Sequence, residues 1–168
     1  MSTVESANAI VTYFSASLEA KYFISKEDVP YVQLTEANVT KTFKIDRLFG
    51  KRVRALNNRY KIATINSHGI DLVIEEMEAL CHASAVVQDV YRRVAQIGDV
   101  VYLHADDGEV YRISTRGWGR LEKCDIPFVK PPGYEPLPSP EPCDAEEFML
   151  LLKDQLNVES RDDLLLIV

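Results

Sequence analysis

Eight basic residues fall within 21 positions: Lys41, Lys44, Arg47, Lys51, Arg52, Arg54, Arg59 and Lys61. The one acid among them is Asp46, so the stretch carries a local charge of +7 in a chain whose net charge is -7. Clustered lysine and arginine neutralise phosphate oxygens and release counterions, which is the chemistry of a nucleic-acid backbone contact. Lys44, Arg47, Lys51, Arg52, Arg54 and Arg59 are therefore the candidate phosphate-binding residues, with Asn57 and Asn58 able to add hydrogen bonds. On a helix Arg47, Lys51 and Arg54 share a face, while Arg52 and Arg59 share the neighbouring stripe. Trp118, the single tryptophan, stands in Gly117-Trp118-Gly119 and could stack on a base. A plug in the core is the competing reading of Trp118. For the cations the competing readings are a solvated helix face, or ion pairs to Glu75 and Glu76 on the following helix.

Other chemistry is thinner. His68, His82 and His104 form no HExxH, and the adjacent Cys81-His82 pair would point apart on a helix, so no paired metal ligands are expected. Cys81, Cys124 and Cys143 contain no CxxC and read as small buried or surface residues. Asp106 and Asp107 could suggest metal-binding carboxylates, but strand alternation would point neighbours apart, and Asp107-Gly108 is a hairpin-turn signal. The chain contains no GxxxxGK[ST], GxSxG or GxGxxG. No catalytic residue, metal or cofactor is assigned to it.

These residues need a scaffold. Of 168 residues, 46% are hydrophobic and 27% charged, which suits one compact domain with a real core. The fold class read from the pattern is α+β: a small mixed module of short antiparallel strands and two to three helices, then a proline-rich linker and C-terminal helices. Ile10, Val11, Phe14 and Leu18 mark a helix over 5–19. Strands are expected at Tyr22–Ile24, Tyr31–Leu34 and Val39–Ile45. Asp46 reads as the N-cap of a basic helix reaching about Arg59, and a second helix spans about His68–His82. Further strands are expected at Val86–Ala95, Val100–His104 and Val110–Ser114, with turns at Asp106-Asp107-Gly108 and at Arg116–Gly119. Arg120–Lys123 then closes the run.

Composition divides the chain into a module over 1–126, a linker over 127–142 and a helical start over 143–168. Seven of the eight prolines lie in the linker, which must run extended because proline fixes φ and lacks an amide proton. Asp144 reads as a helix cap before Phe148, Leu150, Leu151, Leu152 and Leu156. Leu164-Leu165-Leu166-Ile167-Val168 would expose apolar surface at a free end, so the expectation is a chain truncated at the start of a larger domain. No apolar run is long enough for a membrane span, and the first residues lack a secretory signal pattern. The expected setting is cytoplasmic, with no membrane partner.

Val101-Tyr102-Leu103, Asp106-Asp107-Gly108 and Ile113-Ser114-Thr115-Arg116-Gly117-Trp118, followed by Pro127-Phe128, Pro131-Pro132-Gly133 and Pro136-Leu137-Pro138, form a recognisable order. It resembles a segment of a group of bacterial and prophage ATP-binding proteins related to the primase-helicases of phages and mobile elements. In that group a strand, an acidic turn and I-T-x-x-G-W precede a proline-rich bridge ending in P-L-P. More loosely, Tyr22 to Leu34 is similar to an upstream hairpin and Phe43–Leu56 to its basic helix. The resemblance implies a downstream P-loop ATPase domain, approached here by Asn157–Leu166. The ATPase motifs are absent from these 168 residues, so no ATP chemistry is carried onto them.

The expected function is an accessory N-terminal module of a mobile-element, replication-type ATPase, acting in DNA binding, in assembly as a homo-oligomer, or in both. The alternative is a protein-docking or regulatory module without nucleic acid, with the acidic C-terminal region as a partner in cis. A second alternative is a small metal-dependent nucleic-acid enzyme.

Overall fold

The computed structural model describes residues 2–141 together with Asp144 and Glu146. The chain divides into two compact units, Met1–Leu137 and Pro138–Val168. The C-terminal helices expected after Asp144 lie outside the described residues.

The first unit is α+β, as its patterning implies. It opens with α1 (Thr3–Ser17), which starts at a capping box. Glu5 N–H donates to Ser2 Oγ at 3.2 Å while Ser2 N–H donates to Glu5 Oε2 at 2.6 Å. This satisfies two amides that a helix start would otherwise leave orphaned. Three antiparallel strands follow: β1 (Lys21–Ile24), β2 (Pro30–Glu36) and β3 (Val39–Lys44), in the order β1-β2-β3. Ala37 and Asn38 have φ of 50° and 66°, the positive values that a tight two-residue hairpin needs. Then come α2 (Phe49–Tyr60) and α3 (Ser67–Ser84). The helices bury Ile10, Phe14, Val53, Val73 and Met77 against Val32, Leu34 and Ile45 of the sheet segment. Gly69, in the first turn of α3, is required: a Cβ there would fall 2.4 Å from Ile65 Cγ1.

Cys81 is buried on α3, and its thiol donates to the Tyr31 carbonyl at 3.2 Å. Burial pushes the thiol up to about 11, so it stays protonated and unreactive while the fold is closed. Asn57, expected at the phosphate surface, is instead buried. Its amide donates to Ala63 O at 2.9 Å and accepts from Ala63 N–H at 3.1 Å, closing the loop after α2. Asn58 remains exposed.

A second sheet is a four-stranded meander of β4 (Val94–Ile97), β5 (Val100–Asp106), β6 (Glu109–Ser114) and β7 (Gly117–Arg120). It packs Ala95 and Val110 against Phe128. The hairpin at Asp107-Gly108 forms as expected, but the long strand expected over Val86–Ala95 does not. Only its end, Val94 and Ala95, is strand, as the start of β4, while Val87 and Tyr91 make isolated parallel bridges to Ile24 of β1 and to Phe128. The last hairpin turns at Thr115 and Arg116, since Ser114 faces Gly117 across the pair. Gly117–Arg120 is therefore strand rather than turn, and it ends before Lys123.

The proline-rich stretch is not extended throughout, as it turns at Pro132-Gly133, where Tyr134 N–H donates to Pro131 O at 3.1 Å, and residues 127–137 are not a free spacer. Tyr91 N–H donates to Pro127 O and Val129 N–H to Tyr91 O, both at 2.8 Å. Leu137 N–H donates to Ala105 O at 3.1 Å. This strap belongs with the first unit, which runs to Leu137.

Replacing Asn57 with Ala would strand both polar groups of Ala63. The expected loss is about 1–3 kcal/mol of stability, read as a lower urea midpoint with an unchanged slope.

Candidate nucleic-acid interface

The cations of the sequence cluster are sorted by the turn from β3 into α2. Asp46 Oδ1 accepts from Leu48 N–H at 2.9 Å and Phe49 N–H at 3.1 Å and so holds the turn into α2. The N-cap is Leu48 rather than Asp46, and Arg47 precedes the helix instead of sharing a helical face with Lys51 and Arg54. Burial of Phe49, Val53, Leu56 and Asn57 fixes the rotation of α2. Lys44, Arg47 and Lys51 are then exposed, and none of them has an ion pair among the described residues. Arg54 is exposed and donates to Ser67 Oγ at 3.3 Å, a contact that leaves its charge uncompensated.

Arg59 and Arg52 leave the group. Arg59 Nη1 pairs with Glu36 Oε1 at 2.5 Å, and the Tyr60 hydroxyl donates to the same oxygen. The Tyr60 hydrogen bond, aided by the Arg59 charge, holds the Glu36 carboxyl below its usual range despite partial desolvation. Arg52 is half-buried, its guanidinium 5.5 Å from the centre of the Phe43 ring. Glu75 and Glu76, the acids expected to pair with the cluster, take none of these cations; Glu36 and Asp107 do.

Trp118 is not a core plug. It lies 56% exposed on the edge strand β7, edge-on to Tyr111 with ring centres 5.9 Å apart. Its cross-strand neighbour is Ile113, at the end of β6 remote from the Asp107-Gly108 turn. That turn is what touches β3: Lys41 pairs with Asp107, and Val39 packs on Gly108. The structure therefore does not bring Trp118 to the α2 cations. It gathers Arg112 and Arg116 around the tryptophan instead, both exposed and without an ion pair among the described residues. Arg120 is also there, donating to Gly108 O at 3.1 Å and 3.6 Å from Glu109.

A further polar cluster was not foreseen. Asp106 and Asp107 do not point apart: Lys130 Nζ reaches Asp106 at 2.5 Å and Asp107 at 3.0 Å, and Lys41 reaches Asp107 at 2.7 Å. Asp106 ends β5 and Asp107 already lies in the turn, so strand alternation does not separate them. Lys130 holds the Asp106 carboxyl below its ordinary range. For Asp107, burial pulls upward and the hydrogen bonds from Lys41 and Lys130 outweigh it. Beside them His104 is buried, stacked on Phe128 with ring centres 5.0 Å apart. Tyr134 of the strap donates its hydroxyl to His104 O at 2.6 Å and lies 2.8 Å from Nδ1. Arg93 covers the Tyr134 ring at 4.1 Å. The sequence offers Asp106 and Asp107 as an acidic pair and Phe128 and Tyr134 as aromatics among prolines, but not their meeting with Lys41 and Lys130.

Among the described residues there is no group of three or more His, Cys, Asp or Glu able to hold a metal ion. Nor is any helix there long and apolar enough to cross a membrane. No family model matches the chain, and no curated protein or solved structure matches it.

Burial, and then the Lys130 charge, push His104 below its ordinary 6.5. The unfolded chain takes up that proton more readily, so stability is full above about pH 6.5 and falls as pH drops through it. Melting temperature should decline between pH 7 and pH 5, and His104→Gln should flatten that decline.

Proposed function

We propose that the first unit is a nucleic-acid-binding accessory module with the exposed cations at the β3–α2 junction as its phosphate contacts. The observation that carries this reading is that Lys44, Arg47 and Lys51 lie within eight residues, exposed and uncompensated, in an acidic chain. Holding like charges together costs folding energy, and a polyanion offsets that cost. Arg54 extends the surface. Lys-to-phosphate contact is indifferent to base identity, so binding is sequence-tolerant and salt-sensitive. Trp118 with Arg112 and Arg116 supplies a second, separate place where a single strand could stack. The similarity to the region upstream of replication-type ATPases supports DNA as the nucleic acid, and a downstream motor as the context.

The charge reversal Lys44→Glu/Arg47→Glu/Lys51→Glu should weaken binding of labelled single-stranded DNA at least tenfold in fluorescence anisotropy. It should also lower the salt slope by about 2, at roughly 0.7 per single-strand contact. Arg59→Gln should reduce both far less, because Glu36 already neutralises that charge. Equal effects of the two variants would reject the assignment.

A second reading rests on a different observation. Val94, Ile113 and Trp118 are all exposed on the second sheet, and register places them on one face. An apolar row of this kind suits protein docking, including assembly with another copy. Trp118→Ala separates the two: loss of DNA affinity supports stacking, and loss of self-association with DNA affinity intact supports docking.

A further inference from the structure

The unpaired edge of β3 and the Asp107 turn enclose a cleft of about 150 Å³. Lys41, Arg52 and Lys130 line it, together with Thr42, His104 and Asp107. Three positive charges thus meet two carboxylates, Asp107 in the lining and Asp106, which Lys130 reaches at 2.5 Å, leaving an excess of one positive charge. Arg52 Nε is buried and has no hydrogen-bond acceptor among the described residues. The Arg52 guanidinium also has no ion pair among the described residues, so its charge is available to an anion in the cleft. More donors remain. Each ammonium has three protons; Lys41 spends one on Asp107, and Lys130 spends two, on Asp106 and Asp107. Thr42 Oγ1 accepts from Gln33 Nε2 at 3.3 Å, which leaves its own proton to give.

The acceptors in the same cleft narrow the ligand. The Tyr134 proton is committed to His104 O, so in the neutral ring Nδ1 carries its proton toward the Tyr134 oxygen, and Nε2 is left as an acceptor. Asp107 is a second acceptor. An oxyanion that only accepts hydrogen bonds would meet repulsion from both. One that carries an O–H as well would be held by both.

We infer that this cleft binds inorganic phosphate, an oxyanion that keeps a P–OH at neutral pH, in preference to sulfate, to an internal phosphodiester or to a phosphate monoester, which loses its second proton at about pH 6. Arg52, Lys41 and Lys130 hold the unprotonated oxygens, and the P–OH proton goes to Asp107 or to His104 Nε2, or to each of them when phosphate carries two. The site is separate from the exposed cations at the β3–α2 junction and does not depend on the nucleic-acid reading.

The test is thermal stabilisation of the full chain by sodium phosphate against sodium sulfate, each at constant ionic strength. Phosphate should raise the melting temperature with an apparent Kd on the order of 1 mM, and sulfate should not. Arg52→Gln should weaken the phosphate effect about tenfold. Asp107→Asn should have a different signature: phosphate loses its advantage and sulfate becomes equally effective. An oligonucleotide bearing a 5′-phosphate should bind no better than the same strand with a 5′-hydroxyl, since the terminal monoester has lost its P–OH at neutral pH. Tighter binding of the 5′-phosphate strand would overturn the assignment to the free ion. Equal stabilisation of the wild-type chain by phosphate and sulfate overturns the inference. So does a phosphate effect that Arg52→Gln leaves intact but Lys44→Glu/Arg47→Glu/Lys51→Glu removes.

Discussion

The tie between Lys41, Lys130 and the Asp106-Asp107 turn organises the whole first unit. Three segments distant in sequence converge there: the edge strand of the first sheet, the hairpin of the second, and the strap that follows it. Each ion pair is partly exposed and would contribute only about 0–1 kcal/mol alone. Their value lies in sharing, because Asp107 takes both lysines and Lys130 takes both aspartates. A shared network fixes geometry in a way that separate surface pairs do not. Gly108 completes the joint: its φ of 74° is left-handed, and a Cβ would press within 3.1 Å of Val39.

Around this joint the charges divide into two populations. Arg59 and Lys41 are spent on the fold, held by Glu36 and Asp107. Lys44, Arg47, Lys51, Arg112 and Arg116 are not, and they are what the surface offers to a polyanion. The composition could not make this division, since all of these residues look alike along the chain. Proximity to an acid 23 positions away in sequence, or 66 positions away across a sheet junction, decides it.

The local elements were legible because their causes are local. Ile10, Val11, Phe14 and Leu18 announce α1, Asp46 announces the start of α2, and Asp107-Gly108 announces a hairpin. Where two sheets compete for one segment, the pattern misleads. Val86, Val87 and Val90 read as strand, yet only an isolated bridge forms there, at Val87, and Val86 and Val87 are left exposed. Trp118 fails for a related reason, since its size suggests burial but its register on the last strand faces it outward. The candidate site was half legible. The exposed cations carry a compositional signal, whereas the cleft is built where β3, α2, the Asp107 turn and the strap meet, segments distant in sequence whose meeting leaves no periodic trace.

The buried Cys81 thiol makes the molecule its own reporter of local opening. Held against Tyr31 O beneath α3, it can meet an alkylating reagent only in the fraction of time that the helix lifts from the sheet. Its modification rate is thus a direct reading of how often the α3–β2 contact breaks, one side chain at a time, in a protein that otherwise looks folded.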